Sequence, residues 1–232
     1  MALILVWFVI ACGIGLLFSL FRWGDLNLNH DFSRVMAWGM LKIAGWKVDL
    51  EGAELLESSQ PCVYLANHQG TMDVATFGSI YPHRTLVIAK TELKWVPCLG
   101  LFLYAAGNIM IQRHRRASAI ASLSQAAEQI RRKNASVWVF PEGTRNRTQE
   151  NMLPFKKGAF YMAVEAGIPL VPVVAQRLTP LLDQERGILR PGRVRVRVLA
   201  PIPTAGLKQD DVEELISRTW ELMNEAVRGL ST

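Results

Sequence analysis

The hydrophobic positions of the chain are most concentrated at its N-terminus. Residues 1–21 carry no charged side chain, and Ser19 supplies their only hydroxyl group. At about 1.5 Å per residue, a helix of this length reaches roughly 30 Å, enough to cross the hydrocarbon core of a bilayer. The stretch is apolar on every side, which favours insertion into a membrane over lying on its surface.

Three interpretations of this apolar leader are open from the sequence: a cleaved signal peptide, a single membrane span, and a helix embedded in one leaflet. A signal peptide typically has basic residues before its apolar run and small residues at its cleavage site. Here no basic residue precedes the run, and Phe21-Arg22-Trp23 follows it, so this interpretation is the least favoured. For a span, Arg22 and the basic body behind it predict a cytoplasmic C-terminal side.

A second segment, which is amphipathic, covers residues 31–46. Its apolar side chains recur every three residues, close enough to the helical period to share a broad face: Val35, Trp38, Leu41 and Ala44. Gly45 is a candidate helix end. The segment is either the second helix of a membrane-associated pair or a helix packed on the protein body. We predict that residues 1–45 are membrane-anchoring helices and residues 46–232 a separate α/β domain.

Behind the leader, short apolar runs alternate with helical patterns. The predicted strands are 46–51, 61–66, 86–89, 108–112, 137–140, 169–174 and 193–198. The predicted helices are 72–80, 116–133, 158–166 and 209–229. Strands that alternate with helices predict an α/β fold, with a central mixed, largely parallel sheet flanked by helices.

The charge of the chain narrows the classes of partner that it can bind. The formal net charge is +6, and residues 84–157 hold 13 basic against 4 acidic side chains. A basic block behind an apolar leader points to lipid headgroups, a phosphorylated substrate or nucleic acid. RNA binding also requires aromatics among the charges, and residues 113–133 contain none, so we expect no nucleic-acid partner. The three cysteines show no disulfide or zinc spacing, so we expect a reducing compartment and no metal.

The first polar motif follows a predicted strand and contains His68 and Asp73. Five residues along one helix place two side chains about 140° apart, so the pair meets only if the chain turns between them, and Gly70 permits a turn. A histidine oriented by a carboxylate is an effective base. The alternative is an aspartate that caps a helix beside an unrelated histidine, and from this motif alone that alternative is favoured.

Three further motifs lie along the chain. Residues 140–145 read Phe-Pro-Glu-Gly-Thr-Arg, in which Gly143 permits close backbone approach and Arg145 offers a planar fork for phosphate or carboxylate. Residues 107–113 run from a glycine through apolar residues to Arg113, and residues 168–173 read Ile-Pro-Leu-Val-Pro-Val. Taken singly, each has a structural alternative: a tight turn with an ion pair, a solvated charge cluster, or a buried strand with prolines near its ends.

Taken in order, the four motifs resemble the sequence blocks of the glycerolipid acyltransferase family, most closely its bacterial lysophosphatidate acyltransferases. The family's H-x-x-x-x-D block matches His68 and Asp73, and its F-P-E-G-T-R block matches residues 140–145 at every position. Residues 107–113 and 171–173 match its other two blocks, and 89–93 and 154–158 fit lesser stretches. The match covers residues 46–175, over half the chain.

The resemblance implies transfer of an acyl group from acyl-CoA or acyl-carrier protein to the free hydroxyl of lysophosphatidate, giving phosphatidate for phospholipid synthesis. It implies His68 as the base and Asp73 as its orienting partner, with no metal or cofactor beyond the thioester co-substrate. The substrate-binding residues that it implies are Lys90, Arg113, Glu142, Gly143, Thr144 and Arg145. The resemblance also implies attachment to membrane lipids at the cytoplasmic face of a bacterial inner membrane, which argues against a cleaved signal peptide.

The histidine block itself holds no serine or cysteine, so we predict direct transfer without an acyl-enzyme. Cys62 and Cys98 are read as buried apolar residues. Two alternatives stay open from the sequence. The first is an acyltransferase for glycerol 3-phosphate or a lyso-aminolipid, and the second is a membrane-attached thioester hydrolase.

Overall fold

The computed structural model describes residues 2–96, 99–111, 116–146, 151–183 and 186–231, without the side chains of Lys90, Ile111 and residues 116–123. The helices are α1 (Ala2–Phe21), α2 (Leu28–Ala44), α3 (Glu54–Ser58), α4 (Asp73–Gly78), α5 (Leu99–Ala105), α6 (Arg116–Lys133), α7 (Gly158–Ala166) and α8 (Val212–Ser231). The strands are β1 (Trp46–Glu51), β2 (Val63–Ala66), β3 (Thr85–Lys90), β4 (Ile109–Ile111), β5 (Ser136–Val139), β6 (Leu170–Ala175), β7 (Leu182–Asp183), β8 (Ile188–Leu189) and β9 (Gly192–Val198).

Seven strands form one sheet in the order β1-β9-β6-β2-β5-β3-β4. Neighbouring strands run parallel except β6 and β9, which pair antiparallel. The predicted mixed, largely parallel sheet is therefore confirmed. Because β2, β3 and β5 are parallel, their carboxyl ends lie at one edge of the sheet, and that edge is where α/β folds commonly place their ligand sites.

The central strands are apolar because helices cover both faces of the sheet. Along β2, Tyr64 points into a core with α2 and α4, and Val63 points into the opposite core with α6, α7 and α8. All residues of β2 and β6 are buried. Strand β9, near the sheet edge, instead alternates buried valines with more exposed arginines, as its sequence pattern predicts.

The two N-terminal helices pack against each other and against the sheet domain. Helix α2 begins at Leu28, three residues earlier than predicted, and ends at Gly45, whose positive φ of 67° suits glycine. Trp46 therefore begins β1 and is not part of the helix. Helix α1 buries one narrow stripe, formed by Ile4, Ala11, Gly15 and Ser19, and exposes most of its remaining side chains. By length and composition, α1 can cross a membrane.

Several short elements do not follow from the sequence pattern. These are α3, α5, a 3-10 helix over Thr91–Trp95 and the β7–β8 hairpin. Each helix or strand among them has seven residues or fewer, which is too few for a hydrophobic period to be recognised. The ends of the longer predicted elements shift by one to three residues, because capping and pairing decide where an element ends.

Candidate active site

The candidate site lies at the carboxyl ends of two neighbouring parallel strands. Strand β2 ends at Ala66 and leads into the loop that holds His68, and β5 ends at Val139 and leads into residues 140–146. The two strands pair in register, with Leu65 opposite Val139. The first and second sequence motifs therefore lie side by side, although they are more than 60 residues apart in the chain.

His68 and Asp73 meet because the chain turns at residues 69–72. His68 Nδ1 lies 2.7 Å from Asp73 Oδ2. The same oxygen accepts the backbone N–H groups of Gln69 at 2.7 Å and Gly70 at 3.0 Å. Asp73 therefore closes the turn that precedes α4 and is also the partner of the histidine. The aspartate side chain is 2% exposed and the histidine 20%, so the carboxylate is buried behind a reachable imidazole.

The histidine loop is tied to the end of β6 by two flanking amides. The Asn67 side chain pairs with the backbone of Ala175, donating at 3.0 Å and accepting at 2.9 Å. Gln69 donates to the Gln176 carbonyl at 2.8 Å and accepts from the Leu178 N–H at 2.9 Å. Both side chains are buried. Their bonds fix the backbone on either side of His68.

Glu142 lies beneath the histidine loop and is 2% exposed. Its Oε1 accepts the His68 N–H at 2.8 Å, and its Oε2 accepts the Leu153 N–H at 2.9 Å. Desolvation by burial raises the pKa of Glu142, although the two N–H donors oppose the shift. Both of its oxygens therefore hold the protein's own loops together, and its expected contact with substrate stays a prediction.

Phe140 and Asn146 complete the surroundings of His68. The phenyl ring of Phe140 stacks on the imidazole, with centroids 4.2 Å apart and planes 18° apart. The backbone N–H of Asn146 donates to the His68 carbonyl at 2.7 Å. One face of the imidazole is therefore covered by an aromatic ring, which limits its rotation and excludes water from that side.

Residues 143–145 of the second motif face solvent. Gly143 adopts a φ of 72°, a conformation that side chains other than glycine rarely take. A Cβ atom added there would meet the Lys156 side chain at 3.2 Å, so the turn lies directly against that lysine. Thr144 and Arg145 are exposed, and the Arg145 guanidinium has no ion-pair partner among the residues that the structure describes.

For two other expected substrate-binding residues, the structure describes only the backbone or nothing. Lys90 ends β3 at the same sheet edge as His68, and its Cα pairs with that of Ile111 in β4; its side chain is outside the described part. Arg113 lies outside the described residues altogether. Strand β4, which ends at Ile111, pairs parallel with β3.

Sequence reasoning missed four residues that contact the site: Asn67, Gln69, Phe140 and Lys156. Three of them belong to motifs that were recognised, but a motif does not say which way a side chain points. Lys156 falls in the lesser stretch 154–158. Its backbone N–H donates to the Pro141 carbonyl at 2.7 Å, which joins that stretch to the second motif.

Together, the fold and the site define an α/β protein in which a histidine, paired with a buried carboxylate, lies at the carboxyl ends of parallel strands. A sequence model of the acyltransferase family matches residues 47–176, a range that contains all four motifs. The chain belongs to this acyltransferase family, which confirms the resemblance drawn from the motifs.

Curated relatives narrow the class to the O-acyltransferases. The chain is 40% identical over 204 residues to the 1-acyl-sn-glycerol-3-phosphate acyltransferase alpha of Bos taurus, covering 88% of this chain and 71% of the relative. It is 31% identical over 230 residues to the 1-acyl-sn-glycerol-3-phosphate acyltransferase of Haemophilus influenzae, covering 98% and 93%. The chain is therefore an O-acyltransferase.

A solved structure supports the fold over nearly the whole chain. The 1-acyl-sn-glycerophosphate acyltransferase PlsC from Thermotoga maritima superposes with a TM-score of 0.75 at 26% identity, covering 99% of this chain and 95% of the other. The matched region therefore includes the N-terminal helices α1 and α2.

Proposed function

We propose that the protein transfers an acyl group from acyl-CoA or acyl-carrier protein to the free hydroxyl of lysophosphatidate, forming phosphatidate for phospholipid synthesis. The observation that carries the proposal is the His68–Asp73 pair, with the exposed Arg145 in the adjoining loop, where the next residue, Asn146, donates its backbone N–H to the His68 carbonyl. A hydroxyl must lose a proton to attack a thioester, and an acceptor phosphate needs a cation. Three curated relatives, from Bos taurus, Saccharomyces cerevisiae and Haemophilus influenzae, are named for this same acceptor, which agrees with the assignment.

The proposed reaction uses His68 as a general base. With Nδ1–H donating to Asp73, the Nε2 lone pair takes the proton of the acceptor hydroxyl, while the hydroxyl oxygen forms a bond to the thioester carbonyl carbon. The tetrahedral intermediate collapses, the carbon–sulfur bond breaks, and the leaving thiolate takes the proton from the imidazolium. Asp73 stabilises the imidazolium throughout. The proposal assigns no step to a metal or another cofactor.

The burial of the Cys62 thiol supports direct transfer, without an acyl-enzyme. This thiol is buried next to Ser136, and burial raises its pKa to about 12. Because the thiolate is the nucleophilic form of cysteine, Cys62 is protonated and unreactive at neutral pH. Cys98 lies outside the described residues, and Cys12 lies on α1.

We further propose that the protein acts at the cytoplasmic face of the membrane, attached through residues 1–45 as membrane-anchoring helices. Both lipids of the reaction stay in the bilayer, while the thioester donors are dissolved in the cytoplasm. The exposed apolar face of α1 and the positive net charge of the chain support attachment to an anionic lipid surface.

An acceptor panel tests the proposal. Purified protein in lipid vesicles would be given acyl-CoA or acyl-carrier protein with lysophosphatidate, glycerol 3-phosphate or a lyso-aminolipid, and the lipid product would be scored. We expect phosphatidate from lysophosphatidate. Thioester cleavage at the same rate without any acceptor would instead identify a hydrolase, and transfer to an acceptor without phosphate would contradict the role of Arg145.

A further inference from the structure

Four exposed apolar side chains lie outside α1 and α2, at the end of the 3-10 helix over Thr91–Trp95 and on α5. We call this group the outer-edge patch and define it as Trp95, Val96, Leu101 and Tyr104, which are 78%, 41%, 43% and 70% exposed. Isolated exposed apolar residues are normal, but a contiguous group with two large aromatics marks an interaction surface. The sequence pattern did not predict it, because the elements that carry it are short.

The segment that carries the patch is held firmly against the protein body. Phe102 and Leu103 of α5 are buried, at the positions between Leu101 and Tyr104. The Phe102 ring lies 4.4 Å from that of Phe32 in α2. Helix α5 is therefore amphipathic, with an inward side that is satisfied by the core and an outward side that has no cover among the described residues.

The patch is continuous with the exposed face of α1. The rings of Tyr104 and Trp23 lie 5.7 Å apart in an edge-to-face contact. The backbone N–H of Gly24, just after α1, donates to the Ala105 carbonyl at 2.8 Å. Helices α1 and α5 also pack against each other, and the ring of Phe102 lies beside Gly15 of α1. One apolar surface therefore runs from α1 across Trp23 to α5.

The chemistry of the patch fits the boundary between headgroups and acyl chains. Tryptophan and tyrosine concentrate at this depth because each has an apolar body and a polar atom. The Lys94 ammonium lies 4.8 Å from the centre of the Trp95 ring, so a cation that can attract lipid phosphates lies beside the aromatic.

The patch also lies near the active-site edge. The 3-10 helix that carries Trp95 follows directly after the carboxyl end of β3, the edge that also holds His68 and Phe140. We propose that the outer-edge patch is a second membrane-contact surface, which enters the headgroup region beside α1 and holds the active-site edge against the lipid leaflet.

Quenching of tryptophan fluorescence by brominated lipid tests this contact without any reference to activity. The full chain would be reconstituted in phosphatidylcholine–phosphatidylglycerol vesicles with plain or brominated acyl chains. The difference in emission between wild type and Trp95→Phe is the emission of Trp95. The difference between wild type and Trp220→Phe is the emission of Trp220, a half-buried residue of α8 behind the opposite face of the sheet. We expect brominated lipid to quench the Trp95 emission and to leave the Trp220 emission unchanged.

Equal Trp95 emission in the two kinds of vesicle overturns the proposal. Burial of Trp95 by a second copy of the chain also overturns it. Sedimentation of the detergent-solubilised protein would then show a dimer, and Trp95→Phe would weaken that dimer.

A kinetic measurement tests the consequence for catalysis, which rests on the proposed function. For Trp95→Gln/Tyr104→Gln, we expect a several-fold slower rate on lysophosphatidate in vesicles and an unchanged rate on a short-chain, water-soluble lysophosphatidate. Ile188→Gln, on the β8 hairpin strand, is the matched control and should change neither. Equal losses on both acceptors overturn the membrane role. If the wild-type protein transfers no acyl group, the proposed function fails, and the quenching result still decides the patch.

Discussion

Glu142 Oε1 accepts the backbone N–H of His68 at 2.8 Å, across 74 residues of chain. The second oxygen of the same carboxylate accepts the N–H of Leu153 at 2.9 Å. A single buried carboxylate thus sets the position of the histidine loop relative to the phosphate-binding loop that we propose. This relationship gives the glutamate of the Phe-Pro-Glu-Gly-Thr-Arg motif a positioning role.

Replacing Glu142 by glutamine tests this role. A glutamine side chain accepts through only one atom, so its NH2 group would face one of the two N–H donors. We expect a loss of about 1–3 kcal/mol in the free energy of unfolding, the usual effect of an unsatisfied buried donor. We also expect a lower kcat with little change in acceptor KM. Glu221→Gln, on the exposed side of α8, is the control. A Glu142→Gln protein with normal stability and kcat would contradict the role.

The raised pKa of Glu142 predicts that the difference in stability between wild type and Glu142→Gln depends on pH. Because burial raises this pKa in the folded state, the folded protein binds the proton more tightly than the unfolded chain. Its contribution to stability is greatest below the ordinary value of 4.5 and falls as the pH rises through the folded-state pKa. Unfolding measured from pH 4 upward should show wild type losing stability relative to Glu142→Gln over this window. A constant difference between the two would contradict the shift.

Removing the base or its partner should abolish transfer. His68→Ala and Asp73→Asn should each lower kcat by about 10²–10⁴-fold, the usual contribution of a positioned base. Far-ultraviolet circular dichroism should show both variants folded. His83→Ala is a matched control, because His83 also faces a carboxylate, that of Glu57 at 3.0 Å, but at the exposed surface. A folded His68→Ala protein with near-normal activity would rule out the mechanism.

Arg145 should act on acceptor binding. Arg145 is exposed and directly precedes Asn146, whose backbone N–H bonds to the His68 carbonyl. A charge-assisted bond to phosphate contributes about 1.5–3 kcal/mol. Arg145→Ala should therefore raise the KM for lysophosphatidate roughly tenfold or more and leave the KM for the thioester donor unchanged. Arg186→Ala, an exposed arginine on the β7–β8 hairpin, should change neither constant. An unchanged acceptor KM in Arg145→Ala would remove this residue from the phosphate site.

The sequence predicted the parts of this molecule whose signal is local. The helical period of residues 116–133 and 158–166 gave the bounds of α6 and α7, and the spacing of His68, Gly70 and Asp73 allowed the turn that brings the pair together. It could not predict contacts between distant residues. The buried side chains of Asn29 and Asn108 exchange two hydrogen bonds across 79 residues, and no pattern within either segment reveals the other.

The cysteines provide a last test, which separates direct transfer from an acyl-enzyme. Because the Cys62 thiol is buried and its pKa is raised, Cys62→Ala/Cys98→Ala should keep near-normal transfer activity. Mass spectrometry of wild-type protein mixed with acyl-CoA alone should show no acyl adduct. Initial rates with both substrates varied should give intersecting reciprocal plots. Parallel plots, an acyl adduct, or loss of activity in the folded double variant would each require a covalent intermediate and a different role for His68.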